Sequence, residues 1–189
     1  MKQLFLSLCL VMAAMGLQAQ SKAEQLKQIR QVYAQVKEKA GSNKTEPTVP
    51  IDFTLSYTER TAPDAEYPVE ANTNIRFFFE QQGEAGNERR VCTLITYNWE
   101  ADGHVTYREF LFDPQKGHLL FSFMKAETHA GFKVETRYYY DGAGNLIEQK
   151  HKINDQEASA DAHSWSTAEG DREMAVKYLQ MADVVMCNM

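Results

Sequence analysis

The chain has 189 residues, of which 43% are apolar and 24% charged, and 20 basic against 26 acidic side chains give a formal charge of −6. That length suits one ordinary domain, and that balance excludes a chain disordered throughout, a collagen-like chain and a disulfide-dense miniprotein. The acidic surplus works against electrostatic capture of nucleic acid.

Residues 1–20 read as a secretory signal peptide. Lys2 supplies a positive start, Leu4 to Met15 form an apolar run broken only by Ser7, and small or polar residues follow from Gly16. The predicted cut falls after Ala19 or Gln20, which places the remaining chain in the periplasm or outside the cell. The apolar run is short for a bilayer span, which needs about 20 residues. Cys9 follows Leu8 in the middle of that run, unlike a lipoprotein cysteine, which follows a small residue near the end of the run. No later apolar segment approaches a membrane span.

The remainder, 21–189, reads as one helix–meander–helix domain. Ser21 and Glu24 have capping-box spacing, and Leu26, Ile29, Tyr33 and Val36 recur at helical intervals. Lys27, Gln28, Gln31, Gln35 and Glu38 occupy the opposite face, so a helix is predicted over 21–40. A polar connector with two prolines fills 41–50.

From 51 to 153 the period changes from 3.6 to 2. Ile51, Phe53, Leu55 and Tyr57 alternate with polar residues, and so do Ile75, Phe77 and Phe79 with Arg76, Phe78 and Glu80 between them. Val91 to Trp99, Thr106 to Phe112, Leu119 to Met124, Phe132 to Tyr140 and Leu146 to Ile153 continue the pattern. Such segments predict an antiparallel meander of about six to eight strands. The turns Glu100–Gly103, Asp113–Gly117 and Asp141–Gly144 each place an acid early and Gly late. The acid can accept from nearby backbone N–H groups and the glycine can adopt positive φ, so these are turn roles.

Residues 154–165 read as a linker and 166–186 as a second helix. Ser166 and Glu169 have capping-box spacing, and Met174, Tyr178, Met181 and Val185 form its stripe, with Ala175 and Ala182 beside it. The fold class is α+β, two-layered, with one or both helices laid across the sheet.

Tyr97–Val105 and Tyr138–Leu146 share an aromatic-x-aromatic-acid-x-x-Gly-x-aliphatic pattern. Tyr138–Leu146 resembles the YD-type repeats of Rhs-like secreted shells. The resemblance implies a hairpin there and nothing functional. The order of helix, then long sheet, after a signal peptide also looks broadly like the layout of outer-membrane lipoprotein carriers, without a specific motif.

Catalytic patterns are sparse. His104, His118, His129, His151 and His163 form no HxH or HExxH and accompany no CxxC, so neither a metal nor another cofactor is expected. There is no GxSxG and no phosphate-cradling glycine loop. Cys92 sits in a strand beside apolar residues, as inert thiols do. Cys92 and Cys187 are candidates for a disulfide in an oxidising compartment, with two separate buried thiols as the other reading. Glu80, Glu100, Glu109, Glu135 and Glu148 lie in or near strands, several beside basic residues, as on a solvated sheet face.

Aromatic placement is the most informative feature. Phe78 and Tyr139 have the opposite parity to strong inward neighbours. Either a helix covers the second face, or that face binds something apolar or planar. The candidate binding face comprises Phe78, Trp99, Tyr138, Tyr139 and Tyr140. The expected function is non-enzymatic binding of a protein or glycan, through that face or the hairpin ends. The alternative is carriage of a hydrophobic, lipid-like ligand between sheet and helices, which requires an apolar pocket there.

Overall fold

The computed structural model describes residues 21–41, 52–61, 69–84, 87–162 and 165–187. The segment read as a signal peptide and most of the first connector lie outside them. Helix α1 spans Lys22–Gly41. Its start is a reciprocal capping box: Ser21 Oγ accepts from the Glu24 N–H at 3.3 Å, and Glu24 Oε2 accepts from the Ser21 N–H at 3.0 Å. Leu26, Ile29 and Val36 are buried, whereas Lys27, Gln28, Gln31, Gln35 and Glu38 are exposed.

Eight strands follow: β1 Asp52–Thr61, β2 Val69–Gln82, β3 Arg89–Ala101, β4 His104–Phe112, β5 Leu119–Glu127, β6 Lys133–Tyr140, β7 Leu146–Ile153 and β8 Gln156–Ala158. Each pairs antiparallel with the next, so the spatial order equals the chain order. The turns form as their composition dictates. Asp113 Oδ1 accepts from the Gln115 and Lys116 N–H groups, and Asp141 Oδ1 from those of Ala143 and Asn145. Asp102 and Gly103 both have positive φ, which closes β3 and β4 with a two-residue hairpin.

Two elements lie in the segment read as a linker. Asn154 and Asp155 have φ of 50° and 66° and turn the chain into β8, and a 3₁₀ turn follows at Ala160–Ala162. The short polar strand shows no alternation long enough to register as one. Helix α2 spans Ala168–Cys187. Its cap is one residue later than the predicted Ser166: Thr167 Oγ1 accepts from the Gly170 N–H at 3.0 Å. Ser166 is engaged elsewhere, its hydroxyl donating to Asp171 Oδ1 at 2.6 Å.

The helices cover opposite faces of the sheet, so the domain has three layers rather than two. Phe77, Phe79, Ile95, Phe110, Phe112, Tyr138 and Tyr140 pack with Ala175 and Ala182 of α2. Phe78, Leu94, Leu111, Phe121 and Tyr139 pack with Leu26, Ile29 and Val36 of α1. Alternate residues of one strand thus enter different cores, as the two-residue period requires. Each fully buried large apolar side chain stabilises by about 1.5–3 kcal/mol. Bulges at Phe78/Phe79, Leu111/Phe112 and Tyr139/Tyr140 fall in one band across the sheet, inside the region both helices cover. Among the described residues no helix is long and apolar enough to cross a membrane.

Candidate ligand site on the polar rows of the sheet

Among the described residues, the face that α1 covers at one end has no helix over it at the other. Strand register sets two polar rows there. One row runs Ser56, Asn74, Asn98, Tyr107, and the next Thr58, Asn72, Glu100, Val105. Asn74 Nδ2 donates to Ser56 Oγ at 2.7 Å and Thr58 Oγ1 donates to Asn72 Oδ1 at 2.8 Å, which orients the carboxamides across β1 and β2. An open trough of about 540 Å³ lies on these strands, bounded by Ser56, Thr58, Asn72, Asn74, Asn98, Glu100 and Val105, together with Tyr57, Thr73 and Trp99. By alternation Tyr57, Thr73 and Trp99 turn to the opposite face. The groups facing the trough are hydroxyls and carboxamides, which both donate and accept, plus the Glu100 carboxylate, which accepts. Among the described residues no Lys or Arg bounds it.

Of the five residues predicted to form one binding face, four are core. Phe78 and Tyr139 lie beneath α1, and Tyr138 and Tyr140 beneath α2. The predicted face is therefore split between two cores. Tyr138 and Tyr140 turn their hydroxyls to backbone carbonyls at the start of α2, donating to Ser166 O and Ala168 O, each at 2.8 Å. Burial is the largest influence raising both phenols above the ordinary tyrosine range. Trp99 is half-buried and lies in the strand beneath the trough, its side chain turned to the other face.

Cys92 is a free, buried thiol, pushed up to about 12 by burial and secondarily by the Asp183 carboxylate. Its predicted partner Cys187 has a side chain outside the described residues. His163 also lies outside them. Among the described residues no cluster of three or more His, Cys, Asp or Glu side chains could hold a metal ion. The carboxylates disperse. Glu80 pairs with Lys39 at 3.0 Å, Glu135 pairs with Arg137, and Glu148 is half-buried on β7.

Glu109, expected on a solvated sheet face, belongs instead to one of two buried polar networks. Glu109, with a side chain only 3% exposed, accepts from the Tyr33 and Tyr107 hydroxyls and from Lys37 Nζ at 2.6 Å. Burial first, and the Glu109 hydrogen bond second, raise both tyrosines well above their usual range. On the opposite face Arg108 pairs with Asp171, and its guanidinium also reaches Ser166 Oγ and Trp165 O, each at 3.4 Å. The available signal was a charged pair of neighbours, Arg108-Glu109, inside an otherwise apolar strand.

Comparison with protein-family models, curated proteins and solved structures returns no match. The site is read from its own geometry.

Proposed function

We propose that the chain is an exported, non-enzymatic binding domain that holds a neutral glycan in the trough of β1–β4. One observation carries this reading: Ser56, Thr58, Asn72, Asn74 and Asn98 line one open cavity with no basic residue at its boundary among the described residues. A sugar hydroxyl is at once donor and acceptor, and carboxamides and hydroxyls match both roles. A phosphate-bearing or strongly acidic ligand would call for Lys or Arg at this position. The position of Glu100 favours a neutral ligand over an anionic one in the same way.

The carrier reading draws no support from the helix–sheet interfaces. Phe77, Phe110, Phe112 and Tyr138 fill the α2 side, and Leu94 and Leu111 the α1 side, with almost no exposure. The test is a binding screen of the exported chain against neutral and acidic oligosaccharides. Binding of a neutral oligosaccharide that weakens at least about tenfold in Asn74→Ala or Asn98→Ala is expected, equivalent to about 1.4 kcal/mol. Capture of acidic sugars alone, or no loss in either variant, would sink the reading.

A further inference from the structure

The two edges of the sheet differ in kind. β8 has three residues, a short edge that offers little to a further strand. β1 has ten and pairs with β2 without a bulge over its whole length. Among the described residues no strand pairs with its outer side. It contains no Pro and no Lys, and its charged residues, Asp52, Glu59 and Arg60, lie toward its two ends, leaving the middle uncharged. Alternate residues of an antiparallel edge turn their N–H and C=O groups outward, ready for another strand.

We propose that this edge pairs antiparallel with the β1 edge of a second copy of the chain, about a two-fold axis through Ser56. The axis must stand perpendicular to the sheet, so each residue meets one from the same face. Only residues of equal parity can therefore oppose one another. Two such registers pair the most of the strand, one centred on Ser56 and one on Tyr57.

Their chemistry separates them. Centred on Tyr57, Leu55 opposes Glu59 and Thr54 opposes Arg60. Centred on Ser56, Leu55 opposes Tyr57, Thr54 opposes Thr58 and Ser56 opposes itself. Aliphatic then meets aromatic on one face and hydroxyl meets hydroxyl on the other, both favourable cross-strand pairs. Glu59 falls opposite Phe53 near the strand ends, where it is exposed. Tyr57, 41% exposed in the single chain, is covered by Leu55 of the second copy.

A perpendicular two-fold keeps both polar troughs on the same side of the joined sheet. Thr54, Ser56 and Thr58 of each copy then extend the trough of the other. The pairing itself does not depend on a glycan being the ligand.

Native mass and sedimentation of the exported chain over a wide concentration range test the pairing, with Ser56→Lys and Ser56→Asp as variants. Ser56 is an exposed strand residue, and circular dichroism checks that each variant keeps the fold. Expected are a two-chain species for the parent and an association at least about tenfold weaker in each variant alone, because like charges meet on the axis. Mixing the Lys and Asp variants restores the two-chain species. A parent chain that stays single throughout overturns the proposal. So does a dimer indifferent to both substitutions, or a single chain that binds only an extended peptide of another sequence.

Discussion

Helices α1 and α2 dock on opposite faces of the same sheet, and each dock contains one buried charge from β4. The two charges are neighbours in sequence, Arg108 and Glu109, and alternation sends them in opposite directions. They are satisfied differently. Arg108 meets Asp171 with side chains 11% and 1% exposed. Glu109 meets Lys37, which is 39% exposed, and shares its charge with two tyrosine hydroxyls. The α2 dock thus holds a desolvated ion pair whose members depend on each other. The α1 dock holds a carboxylate stabilised by hydrogen bonds, with its cation still wet. A buried pair is costly to break because the remaining partner keeps an uncompensated charge. A partly wet pair loses less, since water replaces the missing partner.

The sharpest way to break this contrast is on the α2 side. Asp171→Ala strands the Arg108 guanidinium and is expected to cost about 3–5 kcal/mol, read from chemical denaturation. If the loss stays below that of Glu109→Gln, the two docks are not ordered as described. Glu109→Gln keeps the shape but removes the charge that the phenols and Lys37 share, with an expected loss of about 1–3 kcal/mol. Lys37→Met should be milder still, at or below about 1 kcal/mol, because the ammonium is partly exposed.

Alkaline pH sharpens the same comparison. Tyr33 and Tyr107 at the α1 dock, and Tyr140 and Tyr178 at the α2 dock, have folded pKa values raised above the usual 10.0, chiefly by burial. The unfolded chain releases these protons first, so the folded state binds more protons above about pH 10. Their contribution to stability is complete below that pH and is lost progressively as pH rises toward the folded values. Cys92 follows the same sign between 9.0 and about 12. Unfolding free energy should therefore fall with increasing pH above 10. Tyrosinate absorbance should rise in step with unfolding; a full tyrosinate signal from a still-folded chain would contradict the burial. The smallest effects belong to the helix starts. Ser21→Ala and Thr167→Ala should each cost about 1 kcal/mol by the same denaturation measurement.

Much of this architecture is local and was legible. The Ser21–Glu24 box and the Asp-first, Gly-late turns act over three to five residues, and the Leu26–Ile29–Val36 stripe lies within one helix, all within reach of pattern reading. β8 escaped because Gln156–Ala158 is too short for a period, and the α2 cap shifted because Ser166 was drawn into the Arg108–Asp171 pair. The trough was illegible for a different reason. Ser56, Asn74 and Asn98 are far apart in the chain, and only the register of β1, β2 and β3 sets them in one row. The aromatic parity of Phe77, Phe78 and Phe79 did reveal that both faces carry large apolar groups, without saying what covers them.

By itself the sequence determined the alternation, the hairpins, the meander order and two amphipathic helices, since each follows from backbone geometry and near-neighbour side chains. Only the tertiary structure decided that the helices take opposite faces, that Arg108 and Glu109 are each captured by a different helix, and that the other half of the α1 face gathers polar rows from four strands. Those outcomes depend on which distant surfaces meet, and a stripe on a helix specifies that it must be buried but not against which side of a sheet apolar on both.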